Sequence, residues 1–205
     1  MVLKARFISS SPTARDFPPD RGREVAVAGR SNSGKSSAIN RIVGMRKLAR
    51  VSKTPGRTQS INFFELAPER RLVDLPGYGF ARVSDATRER WRAALQTYFE
   101  RRRSLCGLIV TVDLRRGLMA PDRLLIDQSR RLKIPQLLLL TKADKFSRAR
   151  AEARRQEVAA QAPAEAEILL FSATSGQGAE QARARLCQWL AMESQDELEE
   201  AGGRD

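Results

Sequence analysis

The chain contains no histidine and only two cysteines, Cys106 and Cys187. The first absence excludes Ser–His–Asp triads, histidine general bases and histidine metal ligands. Two thiols, 81 positions apart, cannot fill the four positions of a structural zinc site. They point to a reducing, cytoplasmic setting rather than a disulfide framework. Long apolar runs are missing too. The longest centres on Leu137–Leu140, far short of the roughly 20 residues that span a bilayer. The first twenty residues hold no unbroken apolar stretch of the kind a signal peptide carries. No integral membrane segment is therefore expected.

Negative charge is also in short supply. Lys and Arg number 37 against 24 Asp and Glu, a net +13. Six of those acids lie in the tail from Glu193 to Asp205, with one base, Arg204, so the tail carries −5 and the rest +18. Such an excess attracts polyanions, RNA and DNA first; the plainer alternative is a solubilising surface. A chain of 205 residues, 41% hydrophobic, is long enough for one domain with its own core.

Apolar runs of strand length alternate with amphipathic runs of helix length. Strands are predicted at Glu24–Gly29, Ile61–Leu66, Arg71–Leu75, Cys106–Leu114, Ile134–Thr141 and Ile168–Phe171. Helices are predicted at Lys35–Val43, Asp85–Arg102, Pro121–Leu132, Ser147–Ala160 (with Ser147 as cap) and Ala179–Ala191. Strands without polar alternation, separated by helices, predict an α/β fold in three layers. The sheet should have six or seven strands, mostly parallel, with one antiparallel strand and helices on both faces. The antiparallel feature comes from the short Pro68-Glu69-Arg70 turn. Residues 1–23 read as an N-terminal extension or first strand, with a mobile, Ser- and Pro-rich character. Residues 24–192 read as the folded domain, and 193–205 as a disordered acidic tail.

Gly29-Arg30-Ser31-Asn32-Ser33-Gly34-Lys35-Ser36 matches G-x-x-x-x-G-K-[ST], after a predicted strand and opening a predicted helix. The glycines let the backbone wrap a phosphate chain with its amides inward, and the helix N-terminus adds partial positive charge. Lys35 reaches the β- and γ-phosphates, Ser36 ligates Mg²⁺, and Ser37 is placed for the α-phosphate. Asp74-Leu75-Pro76-Gly77 ends a strand. Asp74 there can hold Mg²⁺ through water, and Gly77 can offer its N–H to a γ-phosphate. Alone, that pattern is usually just a turn.

Thr141-Lys142-Ala143-Asp144 ends another buried strand. An ionised Asp144 accepts from the two adjacent donors of guanine, N1–H and the 2-amino group, which adenine lacks. Lys142 can lay its stem along the base. A simple helix cap would also explain Asp144. Ser172-Ala173, after the next strand, would supply backbone N–H groups to guanine O6. Four sites in this order, each at a strand's carboxyl end, describe a domain that binds GTP and GDP.

These residues, with Ser52 to Phe64 (SKTPGRTQSINFF) and Asp74 to Phe80 (DLPGYGF), resemble the EngB (YihA/YsxC) family of bacterial GTPases, within the TRAFAC class. The likeness runs from Lys4-Ala5-Arg6-Phe7 to about Leu190. It implies Mg·GTP binding and hydrolysis, a role in assembly of the large ribosomal subunit (rRNA and ribosomal proteins), and a link to division and septation; the chain is read as a monomeric nucleotide switch. It implies nucleotide contacts from Gly56, Arg57 and Thr58, with Thr58 as the switch threonine on Mg²⁺. From the residues alone, Thr54 competes for that role. The alternative function is a regulatory GTPase acting on a protein or membrane surface in division, without RNA contact.

Tyr78 stands where many GTPases carry a glutamine that orients the attacking water. Slow intrinsic hydrolysis follows. Gln59 is a spare amide nearby. Charge building on the γ oxygens needs a cation beyond Mg²⁺ and Lys35. Asn32 offers a hard side-chain oxygen that can hold K⁺ there, as similar GR-x-N-x-GKS loops do. The rivals are Asn32 merely tolerating an unusual backbone angle, Arg30 or Arg57 acting in cis, and an external activator. For RNA contact, the candidates are Arg46, Lys47, Arg50, Lys53 and Arg57, with Arg88, Arg90, Arg92, Arg101, Arg102 and Arg103 on or next to the neighbouring helix.

Overall fold

The computed structural model describes residues 2–49, 60–78 and 85–192, with the backbone alone at 85–88 and 90–92. Seven strands form one sheet. They are β1 (Arg6–Ser11), β2 (Arg23–Gly29), β3 (Ile61–Ala67), β4 (Arg70–Asp74), β5 (Leu105–Asp113), β6 (Gln136–Thr141) and β7 (Glu167–Leu170). The helices are α1 (Lys35–Val43), α2 (Asp85–Arg101), α3 (Ala120–Arg131), α4 (Arg148–Ala159) and α5 (Ala179–Leu190). The strand order is β1-β3-β4-β2-β5-β6-β7. Only β3 runs against its neighbours, pairing antiparallel with β1 and β4; β4-β2-β5-β6-β7 pair in parallel.

Side chains alternate across each strand, so one sheet feeds two cores. Val25, Val27, Ile109, Leu137 and Leu139 point to α1 and α5, meeting Ile39, Ile42, Leu186 and Leu190. Ala26, Ala28, Val110, Leu138 and Leu140 point the other way, to Tyr98 and Phe99 of α2, Ile126 of α3 and Val158 of α4. Both faces of β5 and β6 are covered, which explains why these strands read as unbroken apolar runs.

Element boundaries follow local chemistry. β6 starts two residues later than the apolar run suggests. Lys133 takes φ 56 and the Ile134 N–H donates to Ser129 O, closing the end of α3. Ser147 caps α4 as expected, its hydroxyl accepting from Arg150 N–H.

The N-terminal segment supplies the first strand, one of the two readings of residues 1–23, and its Ser- and Pro-rich stretch is anchored to the domain. β1 pairs with β3 from Arg6↔Glu65 to Ser11↔Ile61, and Leu3 is buried. Residues 18–21 are strapped down by a buried charge cluster. Glu24, fully buried, accepts from Arg71 (3.0 Å) and from Arg102 (2.7 Å). The two guanidiniums in turn donate to the carbonyls of Pro18, Pro19 and Arg21. Arg102 therefore leaves the expected RNA-facing set: its guanidinium lies over the Phe17 and Phe63 rings. A carboxylate at the start of a central strand needs internal cations, so burying Glu24 draws these arginines inward. No helix among the described residues is long and apolar enough to cross a membrane.

Candidate functional site

The site lies at the carboxyl ends of the parallel strands, where the loops after β2, β4, β5, β6 and β7 converge. Gly29 ends β2 beneath the β5 side chains. A Cβ there would sit 2.0 Å from Thr111 Oγ1 and 2.6 Å from Ser33 Oγ, so only glycine fits. The loop then turns through two left-handed residues, Asn32 (φ 64) and Gly34 (φ 90). Asparagine tolerates that region better than most residues. The first bond of α1 runs from Ala38 N–H to Gly34 O. The N–H groups of Lys35, Ser36 and Ser37 thus have no partner within the helix, as at any helix start.

Side chains from neighbouring strands hold this loop from outside. The Ser33 hydroxyl bonds Thr111 Oγ1 at 2.7 Å. The Thr141 hydroxyl donates to Ser33 O. Lys142, itself at φ 63, donates its ammonium to Asn32 O at 2.7 Å and to Asp113 Oδ2 at 2.8 Å. The Asn32 and Ser33 carbonyls are thus taken up by Lys142 and Thr141, while the amides of the α1 first turn keep no helix partner, an arrangement suited to phosphates.

Lys35 and Asp74, both buried, form a direct ion pair. Asp74 stands at the end of β4, and the chain continues through Leu75, whose N–H donates to Val27 O. Gly77 packs against Ser31. Tyr78 then zips onto the phosphate loop: its N–H donates to Gly29 O at 3.3 Å and its carbonyl accepts from Ser31 N–H at 3.1 Å. Its phenol donates to Asp122 Oδ1 at 2.6 Å. Burial, then the Asp122 charge, hold that phenol protonated far above its ordinary range.

At the base end, the Asp144 carboxylate accepts from the Ser172 hydroxyl at 2.7 Å and pairs with Lys145 at 3.2 Å. The Ser172 bond, ahead of the others, lowers the Asp144 pKa. Ser172 departs from its expected role. Its N–H donates to Gln177 O, so it has no proton for a guanine oxygen; its hydroxyl goes to Asp144 instead, and Ala173 is the remaining candidate for the backbone role. The cause is the tight turn after β7, which folds Gln177 back over Ser172.

Three residues absent from the sequence reading belong to this site: Thr111, Asp113 and Asp122. Asp113 is 7% exposed. Burial works against its charge, but hydrogen bonds from Arg115 and Lys142 outweigh it and hold the carboxyl down to about 2. A signal existed. Val112-Asp113-Leu114 repeats Val73-Asp74-Leu75, an acid ending a buried strand beside the phosphate loop. Asp122 had no such signal, since Asp in the first turn of a helix is ordinary capping chemistry. Gly56, Arg57 and Thr58 lie outside the described residues, as do Arg50, Lys53, Thr54, Gln59, Phe80 and the tail from Glu193. So do the side chains of Arg88, Arg90 and Arg92. Arg46, Lys47, Arg101 and Arg103 are exposed.

Residues 24–142 match the family model described as 50S ribosome-binding GTPase. The chain is similar to the probable GTP-binding protein EngB of Colwellia psychrerythraea, with 48% identity over 95% of this chain and 88% of that protein. It is also similar to the EngB protein of Nitrosococcus oceani, with 46% identity over 94% and 98%. Among solved structures, a probable GTP-binding protein EngB superposes with a TM-score of 0.66 at 24% identity, covering 82% of this chain and 98% of that one. Era bound to MgGDPNP and a segment of 16S ribosomal RNA superposes at 0.65 and 20% identity, covering 82% and 57%, a likeness of fold. The chain therefore belongs to the EngB family of GTP-binding proteins.

Proposed function

We propose that this chain is a cytoplasmic, monomeric, Mg·GTP-dependent switch that docks on the large ribosomal subunit during its assembly, with a consequence for cell division. The observation that carries the switch is the buried Lys35–Asp74 pair. An ammonium and a carboxylate neutralise each other where Mg·GTP would supply a partner to each: phosphates to Lys35, the metal to Asp74. Asp74 and the Ser36 hydroxyl are hard oxygen donors, which suits a magnesium ion held mainly by phosphates and water. Bound there, magnesium would neutralise charge on the β and γ oxygens. Thr58 completes the metal set by resemblance.

Hydrolysis breaks the bond between the γ-phosphorus and the β–γ bridging oxygen as water attacks. Lys35 and the loop amides stabilise the charge that moves onto the phosphates. The Tyr78 phenol donates to Asp122, so it does not orient the water, and intrinsic turnover is slow. Asn32 is the candidate for added catalysis. Its carbonyl is fixed by Lys142 while its side chain is exposed, leaving an amide oxygen for K⁺ beside the phosphates. The single-turnover rate in potassium should exceed that in sodium at equal ionic strength, and Asn32→Ala should erase the difference with GDP binding intact. Equal rates in the two salts would move the acceleration to an external activator.

The docking partner is supported by the +18 carried outside the tail and by the description of the matching family as ribosome-binding. Co-sedimentation with large subunits, compared between GTP-analogue and GDP states across salt, tests it. Binding should favour the GTP state and weaken with salt. Binding independent of nucleotide, or none, would turn the reading toward a protein or membrane-surface target.

A further inference from the structure

We infer that Asp122 is a positioning residue that, through the Tyr78 phenol, latches the start of the γ-phosphate-sensing segment in its resting arrangement and so favours GDP over GTP. The inference rests on the proposed role of Gly77 as donor to the γ-phosphate.

Asp122 sits in the first turn of α3 and is 2% exposed. Its two oxygens do different things. Oδ2 accepts the Met119 N–H at 2.8 Å and caps the helix, while Oδ1 accepts the phenol at 2.6 Å. Capping requires only one oxygen; the other is aimed across the site at the residue next to Gly77. Tyr78 is thereby held at three points, with its backbone N–H and carbonyl on the phosphate loop and its hydroxyl on α3. The segment Asp74–Tyr78 is pinned at both ends, at Asp74 by Lys35 and at Tyr78 by Asp122.

Loading Mg·GTP separates the first pair, because Lys35 and Asp74 take different partners. Turning the Gly77 amide toward a γ-phosphate also moves the peptide that joins it to Tyr78, which strains the second. GDP lacks the γ-phosphate and makes no such demand on Gly77. A bond made only in the resting state lowers that state's free energy and is a cost to any ligand that breaks it.

A second observation marks this junction as one arrangement of two. Arg30 Nε and Ser31 Oγ are buried there without hydrogen-bond partners. Both line a small cavity of about 40 Å³ with Asp113, Arg116, Gly117 and Asp122, and Ser31 Oγ faces Gly77. Unpartnered buried donors are unfavourable, so the resting junction carries a cost that the short phenol–carboxylate bond offsets. Releasing Tyr78 frees Ser31 N–H as well, since that amide donates to the Tyr78 carbonyl.

The test compares affinities for GDP and for a non-hydrolysable GTP analogue in the native chain, Tyr78→Phe, Asp122→Asn and Gly77→Ala. Tyr78→Phe keeps the ring and loses only the hydroxyl. It should shift the ratio about tenfold toward the analogue, the size of one hydrogen bond to a charged acceptor. Asp122→Asn should shift it less, since a carboxamide oxygen still accepts from the phenol but without charge. A purely structural role would weaken both nucleotides alike and leave the ratio unmoved. Gly77→Ala should weaken the analogue selectively. If it does and Tyr78→Phe leaves the ratio within twofold of native, or moves it toward GDP, the latch is overturned. If neither variant moves the ratio, the assignment of Gly77 is overturned with it.

Discussion

At the proposed guanine end of the site, Lys142 is fixed by the Asn32 carbonyl and the Asp113 carboxylate, and Asp144 by the Ser172 hydroxyl. None of these bonds has to break for a base to bind. At the γ-phosphate end, Lys35 is engaged with Asp74 and Tyr78 with Asp122, and nucleotide must displace at least the first. The base end is preorganised, which gives selectivity at little reorganisation cost. The phosphate end is self-neutralised through the Lys35–Asp74 pair, so a nucleotide there competes with a bond the protein makes to itself. The proposed switch would use both: an anchor for guanine in every state and a sensor whose bonds compete with the ligand.

The largest expected effect comes from removing the shared cation. Lys35→Ala should abolish measurable nucleotide binding. It should also lower the stability of the empty protein by about 3 kcal/mol, because Asp74 is left buried and unpaired. Lys35→Ala together with Asp74→Ala should recover most of that stability in urea unfolding but none of the binding. Normal stability in the single variant would show that the pair does not neutralise the empty site.

Next comes the anchor. Asp144→Asn should cost about 3 kcal/mol of guanine-nucleotide affinity and shift preference toward xanthine nucleotides, because one acceptor becomes a donor. Native ATP binding equal to GTP would refute the base assignment. Asp113→Asn should cost about 1 kcal/mol with GDP and GTP alike, since Lys142 keeps the Asn32 carbonyl. That equal loss is the counterpart of the ratio change expected from Tyr78→Phe. A selective loss of GTP in Asp113→Asn would erase the distinction between the two ends.

The smallest effect is with pH. The Asp113 carboxyl is held down to about 2, and those of Asp144 and Asp20 are lowered as well. Groups of this kind stabilise the fold above their unfolded pKa near 4, and the contribution is lost as pH falls through their folded values. Thermal midpoints should therefore be flat from about pH 5 to 8 and decline by a few degrees between about pH 4 and 2. A decline that starts near pH 6 would point to a group other than these.

Much of the sheet is legible in the sequence because each central strand is buried on both faces and so reads as an apolar run. The phosphate loop is legible because glycine, lysine and serine at fixed spacing are dictated by backbone geometry and phosphate charge within one turn of chain. β1 was harder. Its burial is partial and its partner, β3, lies fifty or more residues away, so the sequence offered a first strand there only as one of two readings and no local pattern records its bounds. Arg102 failed for a similar reason. On a helix plot it belongs to a basic stripe, and only the buried Glu24, 78 residues distant, draws it inward.

By itself, the sequence determined the order of strands and helices from β2 onward, the strand–loop–helix unit that carries Gly29 to Ser37, and the acids that end β4 and follow β6. Those features arise from hydrophobic period, turn chemistry and short-range spacing, all written along the chain. Tertiary structure alone decided that Asp113 holds Lys142, that Ser172 serves Asp144 through its hydroxyl rather than its amide, and that Asp122 receives the Tyr78 phenol. These partners lie 28 to 44 positions apart and meet because parallel strands bring all their carboxyl ends to one edge. A hydrogen bond there depends on angstrom-scale placement of loops whose sequence separation is large, and nothing local in either partner specifies the other.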